Sequence, residues 1–351
     1  MRFGTELRIR AVGTWLPDTR DTAVQAMQED RLAEDTAQRI GVRALPVSDV
    51  PAPDMAVRAA QQALARAGWQ AQDIDLLIHT WLYYQGHELW SPPHYIANQL
   101  GAHHCLPLAI HQGCDGGALA LYDAALRLRA DPDVRRALVT SSDRYVLPGI
   151  DRWNSYPSMG LGDAAGAVLL HRPLPQSQTD DAFSLLALNT LPCVETEVFL
   201  RGQSPLHSVP LGGGAPVDAV TAARQATADM GKGVFDRIAR EHIERVLHTT
   251  LYEAGISADD PRLRCLVLPR VGARTLDQQY LPVVQQLPCK LLGFDDDTGH
   301  LGCSDWAADL DELHGQRILE PGDVAVLIGA GGGFTWTCAV VQAPTSTGKD
   351  R

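Results

Sequence analysis

The chain has 351 residues, 45% of them apolar and 21% charged, and a formal charge of −12. That length exceeds what one hydrophobic core fills, so two core-forming units are expected, and the apolar share excludes a disordered chain. The negative balance excludes nucleic acid as the main partner, because nothing offsets phosphate repulsion. The seven cysteines show no Cys-x-x-Cys spacing, which fits reduced thiols in a cytoplasmic protein and supports no zinc site. Neither a signal peptide nor a membrane span is expected: Met1–Glu6 has no apolar stretch behind it, and no run approaches ~18 apolar residues.

In chain order, Leu7–Val12 reads as a strand. A helix follows whose apolar stripe is Ala56, Ala59, Ala60, Ala63, Leu64 and Ala67, stopped by Gly68. Ile74–His79 reads as a strand, 94–100 as a short helix, and Ala109-Ile110-His111-Gln112-Gly113-Cys114 as a strand end running into a turn. Ala118, Leu121, Tyr122, Ala125 and Leu126 then fall on one helical face. Short apolar runs at 137–140 and 164–170 read as buried strands. Strands alternating with helices imply a mostly parallel sheet covered on both faces.

The second half repeats this order. A helix through Phe235, Ile238, Ala239, Ile243, Val246 and Leu247 ends at Gly255, as the first ends at Gly68, and each is followed by a strand. Gly299-His300-Leu301-Gly302 then stands where the Cys114 turn stood, and Gly331-Gly332-Gly333-Phe334-Thr335-Trp336 answers Gly162-Asp163-Ala164-Ala165-Gly166-Ala167. The period is roughly 170 to 190 residues, far above the 20 to 50 of solenoid repeats. The expected division is 1–172 as one α/β half, 173–229 as an irregular excursion over a cleft and containing Gly212-Gly213-Gly214, and 230–351 as the second half. Such a duplication brings Cys114 and His300 to opposite sides of one cleft.

Cys114 is the candidate nucleophile. A strand, a small-residue turn and a helix present a side chain where unpaired N–H groups and the helix dipole favour a thiolate. His207 is a candidate second polar group in the cleft, and His111 is expected to pack at the strand end. Asp295-Asp296-Asp297 reads as a solvated turn, since three adjacent acids point in different directions. Trp81, Tyr83, Tyr84 and Trp90 are candidates for an aromatic wall, a core or a dimer seam.

The elbow cysteine, the duplication and the two glycine motifs together resemble the ketoacyl-acyl-carrier-protein synthase III family of the thiolase superfamily, over about residues 7–343. The resemblance implies a duplicated, five-layered αβαβα fold, a homodimer, and a cysteine acylated by a thioester. Condensing members complete the site with His and Asn, in Pro-His-Gln-Ala-Asn and Gly-Asn-Thr-Ser contexts. Here those places read Pro269-Arg270-Val271-Gly272-Ala273 and Gly299-His300-Leu301-Gly302. Replacing neutral donors by arginine and imidazole alters the pair that a decarboxylative condensation needs.

His300 with Asp305 instead supplies a base and an orienting acid for Cys114. This is similar to an atypical acyltransferase branch of antibiotic pathways that includes the malonyl transferase of cervimycin assembly. The expected activity is acyl transfer through acyl-Cys114 to a hydroxyl, an amine or a second carrier protein, in polyketide or other secondary-metabolite biosynthesis. The alternatives are a condensing enzyme and an inactive carrier-binding paralogue. The oxyanion is expected on the backbone N–H groups of Cys114 and Gly332, the latter carried over from the glycine motif. Arg270 is a candidate substrate-contacting or supporting residue.

Coenzyme A-dependent relatives stack a Trp on adenine just before an Arg-Thr-Gly-Ile-Arg motif. Asp35 takes that slot ahead of Arg39-Ile40-Gly41-Val42-Arg43, which favours acyl carrier protein and its phosphopantetheine over coenzyme A. Arg270, Arg274, Arg144 and Arg152 are candidates for a basic docking patch. No resident cofactor and no metal are expected.

Overall fold

The structure, a computed structural model, describes residues 1–4, 6–173, 180–208 and 216–345. Seven strands belong to the first half: β1 (Arg8–Trp15), β2 (Arg20–Thr22), β3 (Ala44–Pro46), β4 (Leu76–Thr80), β5 (Leu106–Ile110), β6 (Arg136–Asp143) and β7 (Ala164–His171). Five belong to the second: β8 (Phe183–Pro192), β9 (Leu263–Val267), β10 (Lys290–Leu292), β11 (Val324–Gly331) and β12 (Thr335–Gln342). Apart from β2 and β3, which pair with each other, the strands form one continuous hydrogen-bonded array in the order β10-β9-β11-β12-β8-β1-β7-β6-β4-β5.

That order is the same five-strand pattern twice. In each half the outer three strands are parallel and the inner two antiparallel, as β4 with β5 and β6 but β7 with β1, and β9 with β10 and β11 but β12 with β8. The halves meet in a seam of two pairs, Arg8 with Ser184 and Ile9 with Phe183.

Alternation along the strands sorts residues into layers. Leu76 and Ile78 face a central core that also takes Ala118, Leu121 and Leu128 from helix α3 and Leu310 and Leu313 from helix α6. Their neighbour Leu77 faces α1 on the outside, and Leu266, Val326 and Val340 face α5 on the other outside. The helices of eight or more residues among the described residues are α1 (Ala52–Ala67), α2 (Pro92–Leu100), α3 (Gly116–Ala130), α4 (Ala219–Met230), α5 (Val234–Ala254) and α6 (Asp305–Gly315). The result is helix, sheet, helix, sheet, helix, the five-layered thiolase fold. The alanine stripe of α1 lies close on β1 because Gly13 has no Cβ, which would otherwise strike the Ala59 carbonyl. Among the described residues no helix is long and apolar enough to cross a membrane.

The expected excursion over 173–229 needs correction. It contains β8, the strand that joins the halves, and α4, so the second half begins near Phe183 and not at 230. β8 is buried on both faces over Phe183–Leu188, and a strand so covered loses the polar alternation that would reveal it. Gly212-Gly213-Gly214 lies outside the described residues.

Candidate active site

β5 ends at Ile110, and the chain turns through Gly113, whose φ of +56° lies in the left-handed region, before Cys114 and the start of α3. Cys114 is 8% exposed. Beside it the two halves touch backbone to backbone. A Cβ on Gly117 would land on the Cys303 carbonyl, and one on Gly116 on the Thr80 hydroxyl and the Cys303 sulfur. Only glycine allows that approach, and it carries the turn before α6, with His300 in it, toward the nucleophile loop.

His300 is buried, with its backbone held between Gly160 and Gly162 by two 2.9 Å hydrogen bonds. Its Nδ1 lies 2.7 Å from Asp305 Oδ2, while Asp305 Oδ1 accepts the Leu301 N–H at 2.7 Å. A carboxylate only accepts, so Nδ1 carries a proton and Nε2 is left for chemistry. Among the described residues no hydrogen bond of ordinary geometry reaches Nε2. The Cys114 sulfur nevertheless stands close enough to act on the ring. Burial opposes charging the imidazole, but the Asp305 carboxylate and a negative charge at Cys114 outweigh it and hold His300 well above the usual histidine range.

Cys114, His300 and Gly332 line one cavity of about 600 Å³. Gly332 N lies 3.3 Å from where a Cβ on Gly113 would stand, which puts it against the nucleophile loop. The aromatic wall comes from Phe199, Phe235, Phe334 and Trp336, with the Phe199 and Phe235 centroids 4.4 Å apart. The Trp81–Trp90 stretch is elsewhere: Trp81 stacks on His79 at 5.4 Å and tilts against the exposed His111 at 5.6 Å. Arg39, Arg224, Lys232 and Arg274 add positive charge to the cavity wall, and Asp35 binds Arg39 at 2.6 Å. Among the described residues no cluster of His, Cys, Asp or Glu could hold a metal ion, and Asp297 pairs with Arg43 at 2.8 Å.

Four candidate residues lie away from the cavity, His207, Arg270, Arg152 and Arg144, and of its two expected roles Arg270 takes the supporting one and not the substrate-contacting one. His207 does not line the cavity and is exposed, as are its neighbours Gln203–Leu206 and Ser208. Arg270 is 2% exposed and reaches neither cavity nor surface. Its guanidinium bonds Asp309 Oδ1 at 3.0 and 2.9 Å, and the Phe294 carbonyl and Thr298 hydroxyl at 2.6 Å each, so it ties β9 to α6 and to the loop before His300. Arg152 is likewise internal, bonding the Tyr145 carbonyl at 2.7 Å and Asp163 at 3.4 Å, while Arg144 donates to the Ser48 carbonyl. Of the four proposed docking arginines only Arg274 borders the cavity.

Two buried acids escaped the sequence reading. Asp143, at the end of β6, accepts from the N–H groups of Leu82, Tyr83 and Cys303 at 2.7, 2.8 and 3.2 Å, and burial pushes it up to about 7. Asp115, beside the nucleophile, accepts from the Thr337 hydroxyl at 2.5 Å and is pushed by burial up to about 8. The available signal was an acid directly continuing an apolar strand or adjoining an elbow, where water-facing residues do not belong.

The family model of 3-oxoacyl-(acyl-carrier-protein) synthase III matches residues 108–186, and its C-terminal counterpart matches 253–343. The solved structure of ChlB3, an acyltransferase, superposes with a TM-score of 0.85 at 32% identity, covering 97% of this chain and 98% of that one. The chain belongs to the 3-oxoacyl-acyl-carrier-protein synthase III family. Within this synthase III family, the β-ketoacyl-acyl-carrier-protein synthase III of Synechococcus sp. (strain WH7803) is 28% identical over 346 residues, covering 92% of this chain and 94% of its own. The same-named protein of Trichormus variabilis is 26% identical over 312 residues, 87% of this chain and 88% of its own. The Aquifex aeolicus synthase III structure, at 20% identity and a TM-score of 0.75 over 96% of this chain and 99% of that one, shares the fold. Synthase III members are enzymes that transfer or condense acyl groups.

Two predictions follow from the buried charges. Arg270→Met strands Asp309 without its partner and should cost about 3–5 kcal/mol in urea unfolding, whereas Arg270→Met with Asp309→Leu should recover most of the loss. Asp115 binds its proton more tightly folded than unfolded, so its ionisation lowers stability as pH rises from about 4 to about 8. Asp115→Asn, which mimics the protonated acid, should lessen that fall in urea midpoints measured across the range; the other acids raised by burial, Asp143 and Asp309 among them, keep the remainder.

Proposed function

We propose that the chain is a non-decarboxylating acyltransferase, moving an acyl group from an acyl-carrier-protein thioester through acyl-Cys114 to a hydroxyl, an amine or a second carrier protein. One observation carries this reading: His300 is oriented by Asp305, 2.7 Å away, while Arg270 is consumed by an internal ion pair. The pair of neutral donors that would stabilise an enolate from malonyl decarboxylation is thereby lost, and a base facing the nucleophile takes its place. The similarity to the ChlB3 acyltransferase supports it.

The first step is attack by the Cys114 thiolate on the donor carbonyl, with the oxyanion held by the N–H groups of Cys114 and Gly332. The donor C–S bond breaks, and the departing pantetheine thiolate takes the proton held at His300 Nε2. Acylation also removes the negative charge facing the ring, so the neutral imidazole is ready to act as a base. The acceptor gives its proton to Nε2 as it attacks acyl-Cys114, and the sulfur leaves as thiolate.

Asp35 and the surrounding cations fit a pantetheine arm delivered by a carrier protein in preference to an adenine-stacking coenzyme A. We place the enzyme in secondary-metabolite biosynthesis, in the cytoplasm, where its seven free thiols stay reduced. We also propose a homodimer built on β5, an outer strand whose Leu106 is 52% exposed.

Incubation with malonyl-carrier protein and acceptor tests the chemistry: transfer without carbon dioxide release is expected, and carbon dioxide on turnover would show condensation instead. Cys114→Ala should abolish the acyl adduct seen by intact mass; no adduct on the unaltered chain with any donor would mark an inactive paralogue. Sedimentation at micromolar concentration should give twice the chain mass, and a charge placed at Leu106 should shift it to monomer.

A further inference from the structure

Tyr156 is a cavity-lining side chain with a hydroxyl that none of the described residues bonds. Its segment is fixed on several sides. Asp151 accepts from the N–H groups of Trp153 and Asn154 at 3.0 and 3.2 Å. Trp153, 1% exposed, donates from its indole to Asp21 at 2.8 Å. Beyond Tyr156, Ser158 accepts from Gly272 N–H at 2.8 Å, and Gly160 accepts from His300 N–H at 2.9 Å. The phenol is thus carried on a rigid turn that is bonded directly to the backbone of the candidate base.

The ring packs on the small apolar cluster of Tyr145, Ile150 and Leu161, a role phenylalanine would fill equally well. The hydroxyl remains to be explained. Among the described residues it has no hydrogen-bond partner, and its side chain borders the cavity that holds Cys114. Burial, and after it the negative charges at Cys114 and Asp143, hold the phenol protonated, far above its ordinary range. It is therefore a donor, and a sheltered tyrosine O–H ordinarily finds an acceptor.

We propose that the Tyr156 hydroxyl is a specificity-determining donor to the acyl group carried on Cys114, selecting acyl chains with a hydroxyl, oxo or carboxylate oxygen a few atoms beyond the thioester carbonyl. This rests on the acyl-transfer reading above and names the class of acyl group it takes. The acyl group is favoured over the acceptor because Tyr156 and Cys114 border the same cavity, and a group bonded to that sulfur is held there beside the hydroxyl. A site built to bond an oxygen also discriminates strongly against the analogue lacking it, since its own polar group is then left unpaired.

Tyr156→Phe removes one oxygen and keeps the packing. Loading of Cys114 is followed by intact mass with two pantetheine thioesters of equal chain length, butyryl and 3-hydroxybutyryl, the latter as both enantiomers, and with malonyl-pantetheine. The unaltered enzyme should load at least one oxygenated donor faster than butyryl, and Tyr156→Phe should slow that donor about 10- to 100-fold while leaving butyryl within about twofold. Equal slowing of all donors would assign the hydroxyl to the thioester carbonyl, and unchanged loading with slowed transfer would assign it to the acceptor; either result overturns the proposal, as does no change at all. Failure of the unaltered enzyme to form any adduct would overturn the acyl-transfer reading itself and the proposal with it, an outcome distinct from adducts that form without preference.

Discussion

Everything at the centre of this molecule depends on how closely two backbones can approach. The start of α3 and the turn before α6 come from opposite halves of a duplicated chain, and they meet where Gly116 and Gly117 present no side chain to Cys303. One methyl at either position would separate the halves locally, and the sulfur and imidazole with them. The central layer is thus more than a hydrophobic filling: its close packing sets how near the turn that carries His300 comes to the loop of Cys114. The same economy recurs outside the site, where Gly13 lets the alanine face of α1 settle on β1.

Around that contact the chain buries an unusual amount of charge. Asp115, Asp143, Asp305, Asp309, Arg270 and His300 are all below a tenth exposed. Each has a reason to remain: backbone donors for Asp143, a hydroxyl for Asp115, Arg270 for Asp309, and His300 for Asp305. Burial of this kind is a poor source of stability. It does hold groups in one geometry and one protonation state, which is what a covalent-transfer site requires. Arg270 fits this pattern, since the guanidinium supports the loop before His300 from behind and takes no place at the cavity.

The sequence carried the local features well. The elbow at Cys114 was legible because a strand, a left-handed glycine turn and a helical stripe follow one another within a few residues, and Asp305 was legible because it lies one helical turn beyond His300. The duplication showed in matched glycine motifs. Features assembled across long sequence separations were not legible. Asp309 sits 39 residues from Arg270, and the Phe199, Phe235, Phe334 and Trp336 wall is drawn from three separate elements. Tyr156 reaches the site on a turn whose Ser158 and Gly160 bond to the distant Gly272 and His300. β8 was lost for the opposite reason: its first six residues, Phe183–Leu188, are covered on both faces and show no period to read.

One detail of the imidazole's surroundings reaches beyond the site. Asp305 grips Nδ1 with one oxygen and the next residue's amide with the other, so the ring is clamped by a carboxylate that is itself immobilised. A base fixed in this way has no swing, and its partners must do the travelling. In the acyl transfer proposed above, the reactive atom of an acceptor therefore has to come through the cavity to a ring that does not move to meet it.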